Sequence, residues 1–221
     1  MSHRVIFELD GLEDDLTPQE RAFVAETAER SGTPSGEPVY GTVSWDEVTD
    51  ALVASVSLGD PEARLALVDL GVHFAGDRVR GDRLHSQLHS LPEDPSPWAL
   101  DATGSIDELA GRSAEWFARM LRRPIALYVW LHEQQAYAAR YVFADSDETL
   151  CQSYVKQLAP AGQAEGLIAD GHVRGQGWIQ TAGLPAPNLY LHIRGDREAA
   201  SLPPGVKEAT KRGQISGVWY E

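Results

Sequence analysis

One segment restricts the fold more than any other. Between Ser105 and Leu121, apolar residues fall at Ile106, Leu109, Ala110, Trp116, Phe117, Met120 and Leu121, with Ser113 on the same line. This is the α-helical period, and it gathers one apolar stripe on one side of the helix. Ser105-Ile-Asp-Glu108 reads as a capping box, in which the Ser hydroxyl and the Glu carboxylate each satisfy the other's backbone N–H. Glu108–Arg112 and Glu115–Arg119 are i,i+4 pairs on the opposite side. Arg122 and Arg123 meet the negative end of the dipole, and Pro124 stops the helix. A one-sided stripe needs a layer to cover it.

The sequence after the helix predicts such a layer. PIALYVWLH, EQQ and AYAARYVFA read as strand, turn and strand, and the alternation of Tyr137, Ala139, Tyr141 and Phe143 predicts a half-buried strand. TLCQSYVKQLA fits a strand or a short helix, Pro160 to Ala169 a helix, HVRGQGWIQT and NLYLHIRG two further strands, and GQISGVWYE closes the sheet. Strands in succession imply antiparallel pairing.

The first half reads differently. RVIFEL is a short strand, and Thr17-Pro-Gln-Glu20 caps a helix running to about Arg30, before the loop GTPSGEP at 32–38. Ser44-Trp-Asp-Glu47 is another capping box, followed by Val48, Ala51, Leu52, Ser55 and Val56 at helical spacing. Asp60-Pro61 starts a further helix that ends at Gly71, and a third, about 83–91, carries Leu84, Leu88 and Leu91. The pair over 45–71 resembles a HEAT-type helical repeat, with SLGDPEARLALVDLG faintly echoed in SLPEDPSPWALDATG. Such a resemblance implies an interaction face, but two imperfect copies fall short of a solenoid, so an ordinary helical hairpin is expected.

The expected fold is therefore α+β: a mostly helical N-terminal half, then a long amphipathic helix packed on an antiparallel sheet. Pro92, Pro95, Pro97 and Gly104 crowd one short stretch, so a boundary is placed there, with an acidic helical region over 1–100 and an antiparallel-sheet domain over 101–221.

Composition narrows the functional classes. At 43% hydrophobic and 24% charged, the 221 residues suit a globular protein. Its net charge is −14, and residues 1–50 hold 12 acidic and 3 basic side chains. That sign opposes nucleic acid and anionic membranes and favours a basic protein partner. No apolar run reaches the roughly 18–20 residues of a membrane helix. Cys151 is the single cysteine, so a reducing, cytoplasmic setting is expected. Arginine outnumbers lysine 16 to 3, which suggests a high-GC bacterial genome.

YVFADSDETL, at 141–150, resembles the first motif of the haloacid-dehalogenase phosphotransferases. The resemblance implies Asp145 as nucleophile and Asp147 as general acid at the end of a buried parallel strand. The chain departs from that pattern: the preceding strand alternates and carries Arg140, Lys156 lies very close, and Gly195-Asp196 lacks the second acidic residue. A polar turn at 145–148 is the preferred reading. His85 and His89 at i,i+4 on a helix form a candidate metal pair, although HSQLH lacks the acid of the metalloprotease motif. His73, His132, His172 and His192 are scattered, and there is no nucleophile elbow, P-loop or dinucleotide fingerprint.

No catalytic residue and no cofactor is assigned. The expected function is a non-catalytic protein-binding or accessory role, of toxin-neutralising or regulatory type, through an acidic surface. The alternative is a small-molecule enzyme or ligand-binding protein with a pocket between the helix 105–122 and the sheet, lined by Trp116, Trp130, Tyr141 and Trp178.

Overall fold

The computed structural model describes residues 5–9, 11–12, 14–31, 39–46, 48–85 and 87–219. The chain forms two compact units, Met1–Arg122 and Arg123–Glu221. Among the described residues it is mainly β, with thirteen strands in three sheets and three α-helices. The expectation of an α+β chain with a mostly helical first half is therefore overturned.

The first unit opens with β1 (Val5–Glu8), α1 (Pro18–Arg30) and β2 (Val39–Trp45). β1 and β2 pair in parallel, and a parallel pair needs a crossover, which α1 supplies. β3 (Leu52–Asp60), β4 (Leu65–Ala75), β5 (Arg78–Leu84) and β6 (Leu100–Thr103) then extend the sheet in sequence order, antiparallel throughout. The chain ends this unit with α2 (Ile106–Arg122). Both sequence-predicted capping boxes at the helices form: Glu20 N–H donates to Thr17 Oγ1, and Glu108 N–H to Ser105 Oγ.

Both helices pack on one face of this sheet. Phe23 of α1 stacks on Phe74 of β4, with centroids 4.3 Å apart and planes 7° apart. Phe117 of α2 meets Phe7 of β1 at 5.8 Å. The stripe read from the sequence is buried, in Leu109, Ala110, Ser113, Trp116, Phe117, Met120 and Leu121, but it packs within the first unit, on the sheet that precedes it in the chain, whereas the strands that follow it were expected to supply the layer.

The three helices expected between 44 and 91 are strands and turns. Val53, Ala54 and Val56 lie in a nearly continuous buried run, and such a run has no period that separates a strand from a helix. The caps expected at Ser44 and Asp60 are hairpin turns, and in the first of them Asp46 is the acceptor while Ser44 Oγ has no partner. Asp46 Oδ1 accepts the N–H of Val48 and Thr49, and Asp60 Oδ1 accepts those of Glu62 and Ala63. Asp50 and Arg64 then turn left-handed, at φ 55° and 52°, which reverses the chain instead of extending a helix. The HEAT-type hairpin over 45–71 is thus a β-meander. Glu47 and the loop 32–38 lie outside the described residues.

The other face of the sheet is met by residues 87–99, where the sequence predicted part of a helix over 83–91. Ser96 N–H donates to Asp82 Oδ2 at 2.8 Å, and the His73 ring reaches the His89 carbonyl at 2.8 Å. These contacts help bury His73 and Asp82, which share this face with buried Val53 and Ser55.

In the second unit β7 (Ile125–His132), β8 (Gln135–Phe143) and β9 (Glu148–Tyr154) form an antiparallel meander. After α3 (Gln163–Ala169) comes the small hairpin β10 (Val173–Arg174) and β11 (Trp178–Ile179). β12 (Leu189–Arg194) pairs antiparallel with β7, and β13 (Lys207–Glu208) parallel with β12, so the sheet order is β13-β12-β7-β8-β9. The C-terminal stretch adds a single bridge, Val218 to Gln135, and buries Trp219. β8 was expected to be half-exposed. It is buried along nearly its whole length, and Arg140 is only 8% exposed. Among the described residues no helix is long and apolar enough to cross a membrane.

Candidate functional site

The register of the second sheet places one polar row across all five strands. Glu208 of β13 faces Tyr190 of β12, Tyr190 faces Tyr128 of β7, Tyr128 faces Arg140 of β8, and Arg140 faces Gln152 of β9. Register partners share a face of the pleat. The neighbours on this face are apolar: Ala126, Trp130, Ala138, Val142 and Ala144. A polar row through an apolar core costs free energy unless each group finds a partner.

Both ends of the row are satisfied. Tyr190 Oη donates to Glu208 at 3.1 Å, and Gln152 Oε1 accepts Thr181 N–H at 2.9 Å and its hydroxyl at 2.5 Å. The centre is different. Arg140 gives Nη2 to Asp147 at 2.8 and 3.1 Å, but its buried Nε makes no hydrogen bond. Tyr128, fully buried, has a hydroxyl without a partner. An unpaired buried donor costs about 1–3 kcal/mol. The guanidinium carbon lies 5.6 Å from the Tyr128 ring and 5.8 Å from the Trp130 ring, so the cation is framed by aromatic rings. Burial raises the Tyr128 pKa above 10.0, Asp147 adds to the rise, and Arg140 opposes it.

Asp147 comes from the DSDE turn. Arg123 holds a second acid of that turn, giving Nε and Nη2 to Asp145 at 2.8 and 2.7 Å. Burial pushes the Asp145 carboxyl up, yet the Arg123 hydrogen bonds and charge outweigh it and hold the pKa below 3.8. The strand before this turn pairs antiparallel, Ile125 with Phe143 and Ala126 with Val142. A phosphotransferase nucleophile needs the end of a buried parallel strand; here Asp145 is tied to an arginine at an antiparallel strand end. The turn reading holds and the phosphotransferase resemblance does not.

The sequence-derived residues are dispersed. Trp116 is buried in the first unit and donates to the Trp98 carbonyl at 2.9 Å. Trp130 is a core residue of the row's face and donates to the Pro185 carbonyl at 2.6 Å. Tyr141, adjacent in the strand to Arg140, lies on the opposite face, so the pleat separates it from Trp130. Trp178 is 74% exposed and stands beside Gln152, Arg174, Gln176 and Gln180 in an open concavity of about 350 Å3.

His85 and His89 lie in the turn after β5, where His89 N–H donates to the His85 carbonyl and His89 has φ 53°. Among the described residues no group of three or more His, Cys, Asp or Glu is placed to hold a metal ion. Sequence reasoning assigned Tyr128, Arg140 and His73 to no site. The available signal was a lone charged or titratable residue inside an apolar strand, as in AYAARYVFA and LGVHFA.

His73 forms the buried polar centre of the first unit. Nε2 lies 2.8 Å from the His89 carbonyl, which fixes it as the donor, and Nδ1 lies 3.4 Å from Asp46 Oδ2. Burial is the main influence and holds the His73 pKa below 6.5, against the pull of the His89 carbonyl and Asp46; Arg80 and the His89 ring push it further down. Burial opposes ionisation of Asp46, but the Val48 and Thr49 amides and His73 bring its pKa below 3.8. Both groups bind protons more weakly when folded than unfolded. Their stabilisation is complete above about pH 6.5 and is lost as pH falls through the lowered folded values. Urea midpoints are expected to be lower at pH 5 than at pH 8, and His73→Gln to shrink that difference. Equal midpoints for the native chain would contradict this reading.

No family model matches the chain, and neither a curated protein nor a solved structure matches it.

Proposed function

We propose that the chain is a non-catalytic protein-binding or accessory protein, of toxin-neutralising or regulatory type, acting in the cytoplasm through an acidic surface of its first unit. One observation carries the reading. On the sheet face away from the helices, Ile6 and Tyr40 are register partners, 38% and 60% exposed, with exposed Glu8 and Thr42 paired two residues on. Residues 87–99 reach His73 of β4 and Asp82 of β5, through His89 and Ser96. An exposed tyrosine beside an aliphatic side chain is the usual composition of an interface centre. The net charge of −14 and the acidic first fifty residues match a basic partner surface. Cys151, a free thiol, suits a reducing compartment.

A photo-reactive residue placed at position 40 in the native host should cross-link a basic protein. With that protein purified, Tyr40→Ala is expected to weaken binding at least tenfold, about 1.4 kcal/mol. Glu8→Lys is expected to slow association and flatten the salt dependence. Affinity untouched by both substitutions would remove the surface from consideration.

A further inference from the structure

The centre of the polar row has more donors than acceptors. Arg140 Nε and the Tyr128 hydroxyl are buried and unpartnered, while Arg140 Nη2 meets one carboxylate. That carboxylate does not belong to the core. The Asp147 side chain is 58% exposed and reaches inward from a turn, from a left-handed residue at φ 56°. Arg123 grips Asp145 and Ser146 of the same turn, so the turn has an anchor that does not involve Asp147. The next residue along the row, Gln152, is also a wall of the Trp178 concavity. Neighbouring strands lie about 4.8 Å apart, which is the scale of one ring.

We propose that Arg140 and Tyr128 form the floor of a binding site for a small molecule bearing a carboxylate on a flat ring, and that Asp147 is its built-in occupant. The ligand carboxylate takes the seat of Asp147 on the guanidinium fork and accepts from the Tyr128 hydroxyl. Its ring lies against the exposed Trp178 indole, with the Gln152, Gln176 and Gln180 amides around it. A guanidinium framed by aromatic rings binds a planar carboxylate in two-point fashion, which an ammonium cannot do. The seat is independent of the Tyr40 surface, which lies in the other unit.

Benzoate is the probe, with inorganic phosphate as comparison, both titrated calorimetrically into the full chain. Asp147→Gly empties the seat, and glycine accepts the left-handed turn without strain. This variant is expected to bind benzoate at least tenfold more tightly than the native chain. Adding Tyr128→Phe should weaken it severalfold, and adding Arg140→Lys should return it to the native value or below. Equal benzoate affinity in native and Asp147→Gly chains overturns the proposal, as does phosphate bound as tightly as benzoate. Should Asp147→Gly not fold, the native chain is titrated with concentrated benzoate while the indole N–H resonances of Trp130 and Trp178 are followed. Movement of both supports the site; stationary resonances overturn it.

Discussion

Phe23→Ala is expected to destabilise the first unit by about 3–5 kcal/mol. Phe23 is fully buried on α1, and its ring lies flat on that of Phe74, itself 2% exposed at the centre of the sheet. Truncation removes the apolar transfer term and leaves a cavity between two rigid layers, helix and sheet, that cannot close around it. The stacked pair adds about 0.5–1.5 kcal/mol beyond burial. A cycle with Phe74→Ala should therefore give a coupling of that size. Urea unfolding followed through the Trp98–Trp116 pair, whose rings lie 6.1 Å apart in the same unit, reads the effect. A loss below about 1 kcal/mol would mean that the layer relaxes around the missing ring.

Gly195→Ala is expected to cost about 2–5 kcal/mol in the second unit, the sum of left-handed strain and overpacking. Gly195 has φ 81°, and a Cβ there would sit 2.6 Å from the Arg123 carbonyl carbon and 2.9 Å from Pro124 Cα. Both are backbone atoms at the entry to β7, so neither can swing aside. Gly205 is the control. Its φ is 78°, but a Cβ would meet nothing within 4 Å. Gly205→Ala should cost only the conformational term, about 1–2 kcal/mol. Hydrogen exchange at β7 and β12, which pair through Ile125 and Arg194, distinguishes the two. Equal protection loss in both variants would show that φ alone decides.

Four capping signals illustrate how far local sequence reaches. Thr17-Glu20 and Ser105-Glu108 cap helices, as their letters predict. The box read at Ser44 and the cap read at Asp60 head hairpins instead: Ser44 Oγ has no partner, and Asp46 and Asp60 bind the next N–H groups. A side-chain oxygen that accepts two successive amides stabilises one turn of chain, whether or not a second turn follows. The continuation differs. After Ser105 comes a one-sided stripe, and after Asp46 comes a run buried on both faces.

The candidate site was legible only in fragments. The antiparallel pairing of 125–132 with 135–143 follows from alternation and turn chemistry, and it was enough to exclude the phosphotransferase arrangement. Arg140 was visible as a charge within an apolar strand, but its burial was not. Its row companions Tyr190 and Gln152 lie 50 and 12 residues away along the chain, and only the pairing of β12 and β9 into the sheet brings them into line. Strand pairing over such separations leaves no periodic mark in either segment.

Local sequence was enough for the two capped helices, the β7–β8 hairpin, the DSDE turn and the acidity of the first fifty residues. Each depends on contacts within a few residues, or on composition alone. Only long-range packing makes Leu52–Asp60 and Leu65–Ala75 strands, because over most of their length both faces are buried, with Phe23 of α1 on one side and residues 87–99 on the other. It also decided that Tyr128 and Arg140 stand side by side in the core with donors to spare. Burial on two faces erases the alternation that marks a strand, and only partners distant in the chain supply the second face.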